Sequence, residues 1–194
     1  DDFFTENPKR HTIGEVELGV NYALIISTNA GLWAYNIGDT VQFTSLKPYR
    51  VIVSGRIKHF ISAFGEHVIG EEVEAALKST LEVHLAKVTE FTVAPMIQQG
   101  EGKSYHEWFI EFENRPADIE QFANKLNNLM RDQNIYYDDM IAGNILKPLK
   151  ITTMKKNGFI DYMKSIGKLG GQNKVPRLSN DRKIADELMK WVDN

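Results

Sequence analysis

Ser54-Gly55-Arg56-Ile57-Lys58-His59-Phe60-Ile61-Ser62-Ala63-Phe64-Gly65-Glu66-His67-Val68-Ile69-Gly70-Glu71-Glu72 is where the texture of the chain changes. Upstream, apolar residues alternate or come in short runs. Downstream, helical stripes alternate with strands. A Gly followed by two long basic side chains at such a change predicts a hinge between two structural units. Arg56 carries a planar fork of donors suited to a phosphate or ribose, and Lys58 suits a solvated hinge position. On charge alone, both also read as solvated cations of a surface loop.

Working outward, residues 14–54 read as β structure. Glu15 to Val20 alternates, Tyr22 to Thr28 is a buried-type run, and Asp39 to Thr44 and Tyr49 to Ser54 complete four short strands. Gly19, Asn29-Ala30-Gly31, Gly38-Asp39 and Lys47-Pro48 mark the turns. A sheet this small buries too little to stand alone, so it predicts the edge of something larger.

Residues 55–194 predict an α+β sandwich of about three strands and four helices. Val73, Ala76, Leu77 and Leu81 share one face of a helix beginning after Gly70, with Glu71 and Glu72 at its positive end. Phe91 to Met96 and Trp108 to Phe112 predict strands joined by a hairpin over Gln98 to Ser104. The second strand alternates its apolar positions with His106, Glu107, Glu111 and Glu113. Pro116 and Asp118 open a helix bearing Ile119, Phe122, Ala123, Leu126, Leu129 and Met130. Leu146 to Met154 predicts a strand, and Phe159 to Ile166 a helix stopped by Gly167. Ser179 is the expected N-cap of a terminal helix carrying Ile184, Leu188 and Trp191.

The 194 residues are 42% hydrophobic and 25% charged, an ordinary globular composition. A net charge of -3 argues against nucleic-acid or anionic-membrane partners. The longest apolar run, Tyr22 to Ile26, is far short of the roughly 18 residues of a membrane span. The absence of Cys removes disulfides and thiolate chemistry and fits a reducing, cytoplasmic compartment. The chain opens Asp1-Asp2-Phe3-Phe4 without Met, which predicts a piece of a longer protein.

Three stretches concentrate Gly and charge. Asp39, after Gly38, is placed to accept two hydroxyl hydrogen bonds such as those of a ribose, although from the dipeptide alone a Gly-Asp turn is the simpler reading. Gly55-Arg56 is the second stretch. The third, Gly167-Lys168-Leu169-Gly170-Gly171-Gln172-Asn173-Lys174-Val175-Pro176-Arg177, fits a loop that delivers an ammonium to an anionic centre, or a plain Gly-rich connection. Its spacing is not that of a P-loop. The five His, at positions 11, 59, 67, 84 and 106, show neither metal-ligand spacing nor an obvious carboxylate partner, so no metal site is expected. Asp138-Asp139 and Glu71-Glu72 read as solvated pairs, and Trp33, Trp108 and Trp191 as core.

Val16-Glu17-Leu18-Gly19, Gly31-Leu32-Trp33, Gly38-Asp39, Gly55-Arg56, Phe64-Gly65-Glu66 with Glu71-Glu72, and Gly171-Gln172-Asn173-Lys174-Val175-Pro176-Arg177 occur in register over nearly the whole chain. In this it resembles the C-terminal portion of the Gretchen Hagen, auxin-responsive acyl-acid amido synthetase family, bacterial type, within the acyl-adenylate-forming superfamily. The resemblance implies an ATP-dependent ligase that activates a carboxylic acid as acyl-AMP and transfers it to an amine or thiol. It implies the last strands of the adenylating domain over 1–54 and a mobile C-terminal domain over 55–194. By the same likeness, Asp39, Arg56 and Tyr35 contact the nucleotide, Lys58 is the hinge, and Phe64, Gly65 and Glu66 form the acceptor loop. Lys174 is then the catalytic lysine, with Arg177 its nearest competitor. ATP and Mg would be bound mainly by an upstream domain, which is also the expected partner. Ala34, Asn36 and His67-Val68-Ile69 depart from the plant pattern and bear on substrate choice. The alternative is a non-catalytic nucleotide- or partner-binding domain of the same fold.

Overall fold

In a computed structural model the described residues are 7–56, 60–97, 104–170 and 173–193. The chain divides into two compact units, Asp1–Lys58 and His59–Asn194.

In the first unit β1 (Asn21–Ile26), β2 (Tyr35–Leu46) and β3 (Tyr49–Arg56) form an antiparallel sheet in that order. The expected strand over Glu15 to Val20 is not there. Ile13–Glu15 is a single 3-10 turn in which the Glu15 carboxylate accepts the Thr12 N–H at 2.8 Å, and Leu18 makes only an isolated bridge to Phe43. A local side-chain cap thus outcompetes a strand that has no partner edge. Gly38-Asp39 is not a turn either. β2 runs through it as a bulge, with Ala23 opposite Thr40 but Ile25 opposite Asn36, and Gly38 takes φ +85° to allow it. Val41 and Phe43 are buried, and Tyr22 and Tyr49 each meet the Phe43 ring edge-on at 6.1 Å. Trp33, by contrast, is 87% exposed and Val53 68% exposed, so Trp33 is not the core residue its spacing predicted.

The second unit opens with a two-stranded ribbon, β4 (Phe60–Ile61) and β5 (Val68–Ile69), leading into α1 (Gly70–His84). β6 (Lys87–Met96) and β7 (Tyr105–Asn114) pair antiparallel, and of the hairpin expected over Gln98 to Ser104, residues 98–103 lie outside the described residues. α2 (Ile119–Gln133) follows, its first turn capped by Asp118, which accepts the Glu120 and Gln121 amides. Then come α3 (Ile135–Ala142), β8 (Lys150–Thr153), parallel to β7, α4 (Gly158–Ser165) and α5 (Lys183–Leu188). Among the described residues the unit therefore carries five α-helices rather than four. Ser179 does not cap the last of them; α5 starts at Lys183, whose N–H is held by Asp181 Oδ1 at 3.0 Å.

Strand alternation sorts the core into two layers, one on each face of the β6-β7-β8 sheet. Trp108, Ile110 and Val93 pack with Val73, Leu77, Phe122, Leu126 and Tyr137 from α1, α2 and α3. Phe109 and Ala94 pack on the other side with Phe159, Tyr162, Ala185 and Leu188 from α4 and α5. Because helices cover both faces, the polar positions of β7 are buried too, and each must find a partner. Glu107 Oε1 accepts the Thr152 hydroxyl at 2.6 Å and its other oxygen lies 2.9 Å from Arg182. Glu111 accepts the amides of Asn157 at 2.7 Å and Phe159 at 3.2 Å, at the start of α4.

Candidate functional site

In the first unit Asp39 is half-buried in the β2 bulge, and its backbone is in register with Arg56 on β3. Tyr35 opens β2 with its ring half in solvent. The sheet thus brings the backbones of Asp39 and Arg56 opposite one another on adjacent strands. Lys58 lies outside the described residues.

In the second unit the Phe64-Gly65-Glu66 loop links β4 to β5. Gly65 and His67 are exposed and take φ +95° and +46°, while Glu66 between them points inward and is 0% exposed. Glu66 Oε2 accepts the Phe64 N–H at 2.8 Å, and Oε1 meets His106 Nε2 on β7 at 2.8 Å. The His106 ring stacks between Phe64 and Tyr137, at centroid distances of 6.3 and 5.2 Å. His106 therefore does have a carboxylate partner, forty residues away and invisible to local spacing. Burial would raise the Glu66 pKa, but the hydrogen bonds and charge of His106, with the Phe64 amide, hold it below its ordinary value. Glu72 is not solvated either. It accepts the Ile69 N–H at 3.0 Å and the Asn134 side-chain amide, and burial raises its pKa against those bonds.

Lys174 sits where a loop meets an anchored segment. Val175 is buried in the layer beneath α4 and α5, Pro176 O accepts the Thr92 hydroxyl at 2.6 Å, and the Arg177 carbonyl and Ser179 amide bond to Val93 of β6. Lys174 itself is exposed, and among the described residues its ammonium has no partner. It lines a cleft of about 220 Å³ with Lys168, Gly170, Asn173, Glu90 and Glu111. Gly171 and Gln172 lie outside the described residues. Arg177, the competitor for the same role, is occupied: it pairs with Glu90 and Glu74 and lies 4.5 Å over the Phe91 ring.

The Phe64–Glu66 loop packs through Ile61, Val68 and Phe64 into the layer formed with α1 to α3. Lys174 adjoins the layer formed with α4 and α5. The two segments hence belong to opposite faces of one sheet. Among the described residues no group of three or more His, Asp or Glu is arranged to hold a metal ion, and no helix is long and apolar enough to cross a membrane.

Residues 71–183 match the profile described as the GH3 family C-terminal domain, and residues 2–56 that of the GH3 family central domain. The chain belongs to the GH3 (Gretchen Hagen) family. Among its GH3 relatives, indole-3-acetic acid-amido synthetase GH3.3 of Arabidopsis thaliana is 26% identical over 89% of this chain. Indole-3-acetic acid-amido synthetase GH3.10 of the same plant is 24% identical over 96% of this chain. The chain spans about a third of the length of these relatives, 31% and 32% respectively. In fold it is similar to the GH3.15 acyl acid amido synthetase, with TM-score 0.72, 18% identity, and coverage of 94% of this chain and 36% of that one. Both named relatives are from a plant, which leaves the bacterial type expected from the sequence without support.

Proposed function

We propose that this chain is the C-terminal part of an ATP-dependent GH3 ligase that forms an acyl-adenylate and transfers the acyl group to an amine. The observation that carries this reading is the placement of Lys174 and the Phe64–Glu66 loop on opposite faces of the β6-β7-β8 sheet. A single domain with Lys174 on one face and the loop on the other serves two half-reactions by turning between them. In the first, a carboxylate oxygen of the substrate attacks the α-phosphorus of ATP, and the bond to the β-phosphate breaks with pyrophosphate leaving on its electron pair. Lys174 supplies a free ammonium for the charge that builds up there, while Asp39, Arg56 and Tyr35 hold the nucleotide. In the second, the amine nitrogen bonds to the acyl carbon, the carbon–oxygen bond to phosphate breaks, AMP leaves, and the amine proton passes to solvent. No covalent enzyme intermediate is needed, so positioning and charge carry the catalysis.

On this reading residues 1–54 end the adenylating domain, 55–194 form the mobile domain with Lys58 as hinge, and the partner is an upstream adenylating domain. The substrates are a small carboxylic acid and an amine, as the relatives' names describe for those proteins. A cytoplasmic location is in keeping with an ATP requirement. Mg would enter with ATP, held mainly by the upstream domain and the nucleotide phosphates.

The test is acid-dependent exchange of labelled pyrophosphate into ATP by the full-length polypeptide containing this chain, across a panel of carboxylic acids. Exchange that falls about 10²-fold in Lys174→Ala supports the ligase. A folded, ATP-binding full-length protein that exchanges with no acid is instead the non-catalytic binding domain.

A further inference from the structure

His106 takes no direct part in the chemistry above: its side chain is 2% exposed, too enclosed to touch a substrate. Among the described residues its contact with Glu66 is the one ion-pairing contact with both side chains essentially dry. Placing such a pair beneath a surface loop is costly unless geometry is gained in return. The loop above it is strained. Exposed His67, a non-Gly residue, is held at φ +46° next to Gly65 at +95°. Both flank Glu66, whose two oxygens are divided between the loop's own Phe64 amide and His106. On the opposite side the Ser62 N–H is fixed to Asn180 Oδ1 at 2.8 Å, so the loop is clamped at its entry and its tip. The clamp at the tip belongs to the most buried strand of the sheet, a rigid anchor.

From this geometry we infer that His106, acting through Glu66, is a positioning residue for the acyl-transfer half-reaction: it holds the Gly65–His67 tip in one backbone arrangement that meets the acyl-adenylate. The inference rests on the ligase reading for its reaction and on the Glu66–His106 bond for its mechanism. A displacement of the tip by about 1 Å is enough to slow a step that depends on alignment by roughly 10²-fold.

Two variants separate the hydrogen bond from packing. His106→Phe keeps an aromatic ring between Phe64 and Tyr137 but loses the bond to Glu66. His106→Gln loses the ring but keeps a nitrogen donor near the Nε2 position. In the full-length protein, pyrophosphate exchange and single-turnover decay of acyl-adenylate on adding amine are measured side by side. The expected result is exchange within about twofold of the parent in both variants, with transfer slowed roughly 10²-fold in His106→Phe and about tenfold or less in His106→Gln. Equal losses in both half-reactions, no loss in either, or better transfer in Phe than in Gln overturns the inference. Amide hydrogen exchange reads the clamp without any activity. Residues 62–67 should lose protection in His106→Phe while β6 and β7 keep theirs, and unchanged loop protection overturns the inference as well. A parent protein that performs no exchange with any acid sinks the ligase reading instead, and the amide exchange still decides whether His106 holds the loop.

Discussion

Glu111 and Asn157 are 46 residues apart, and the carboxylate of the first accepts the backbone N–H of the second at 2.7 Å. The other oxygen takes the Phe159 N–H at 3.2 Å, so one buried side chain on β7 satisfies two amides at the start of α4. Asn157 sits at φ +64°, a conformation that the turn into α4 requires. Glu111→Ala leaves both amides without their partner and removes negative charge from the positive end of the helix. It is expected to lower stability by about 2–3 kcal/mol. Glu111→Gln, which keeps one acceptor, should lose about half of that. Urea unfolding of the chain followed by circular dichroism measures both, and equal stabilities would remove Glu111 from its capping role.

Buried Glu66 and half-buried Glu72 titrate in opposite senses. Glu66 has a folded pKa below its ordinary 4.5, because hydrogen bonds and charge from His106 and the loop amide outweigh desolvation. Its contribution is present above pH 4.5 and lost as pH falls through the lowered value. Glu72 has a folded pKa above 4.5, led by desolvation, so its contribution is present below 4.5 and lost as pH rises through the raised value. Unfolding free energy measured against pH should therefore drop on the acid side in the parent and more shallowly in Glu66→Gln. Glu72→Gln should flatten the loss on the neutral side and be neutral or stabilising at pH 7. An acid limb untouched by Glu66→Gln removes this assignment.

The sequence made the helices and central strands readable wherever periodicity was strong, as in the Phe122, Leu126, Met130 stripe of α2. Those positions face a single core, so pattern and packing agree. The failures have two physical sources. Glu107 and Glu111 alternate along β7 as though one face met water, yet α4 and α5 cover that face; Glu107 accepts from Thr152 and pairs in charge with Arg182, and Glu111 takes the α4 amides. In the same way His106 and Glu66 meet across forty residues, a tertiary contact with no local signature. The Glu15 to Val20 strand failed for the opposite reason: Thr12 and Glu15 form a cap that pattern reading counted as alternation. Of the candidate site, Gly65 and Gly170 take the positive φ that their loops' Gly content led one to expect. The commitment of Arg177 to Glu74, Glu90 and the Phe91 ring was not legible, since those partners are about ninety residues away or more in sequence.

The first unit exposes Trp33 just before β2, and Tyr35, Ile37, Val51, Ile52 and Val53 on its strands. Val51 and Val53 share one face of β3, an apolar strip that association covers. The chain on its own should therefore self-associate. Sedimentation velocity over a concentration series should show oligomers that Val51→Lys together with Val53→Glu reduce, without change in the second unit's unfolding transition. A strictly monomeric parent at every concentration would falsify the covering-partner reading.

Lys174 and Arg177 make the last contrast. Arg177 bonds to the Phe91 carbonyl at 3.2 Å, pairs with Glu90 and Glu74, and covers the Phe91 ring, so its charge is committed to packing the end of β6. Arg177→Ala should cost about 1–2 kcal/mol of stability, and Arg177→Lys should recover little, because an ammonium cannot span the ring and two carboxylates at once. Among the described residues Lys174 makes no such contacts, so Lys174→Ala should leave stability within about 0.5 kcal/mol of the parent. Its loss should appear in pyrophosphate exchange instead, where a free cation beside a reacting phosphate has its effect. Thermal unfolding and exchange measured on the same two variants give a crossed pattern if the roles are divided this way. Should Arg177→Ala abolish exchange at full stability while Lys174→Ala leaves it intact, the catalytic cation is Arg177 and the contacts drawn around it are rearranged in the working enzyme.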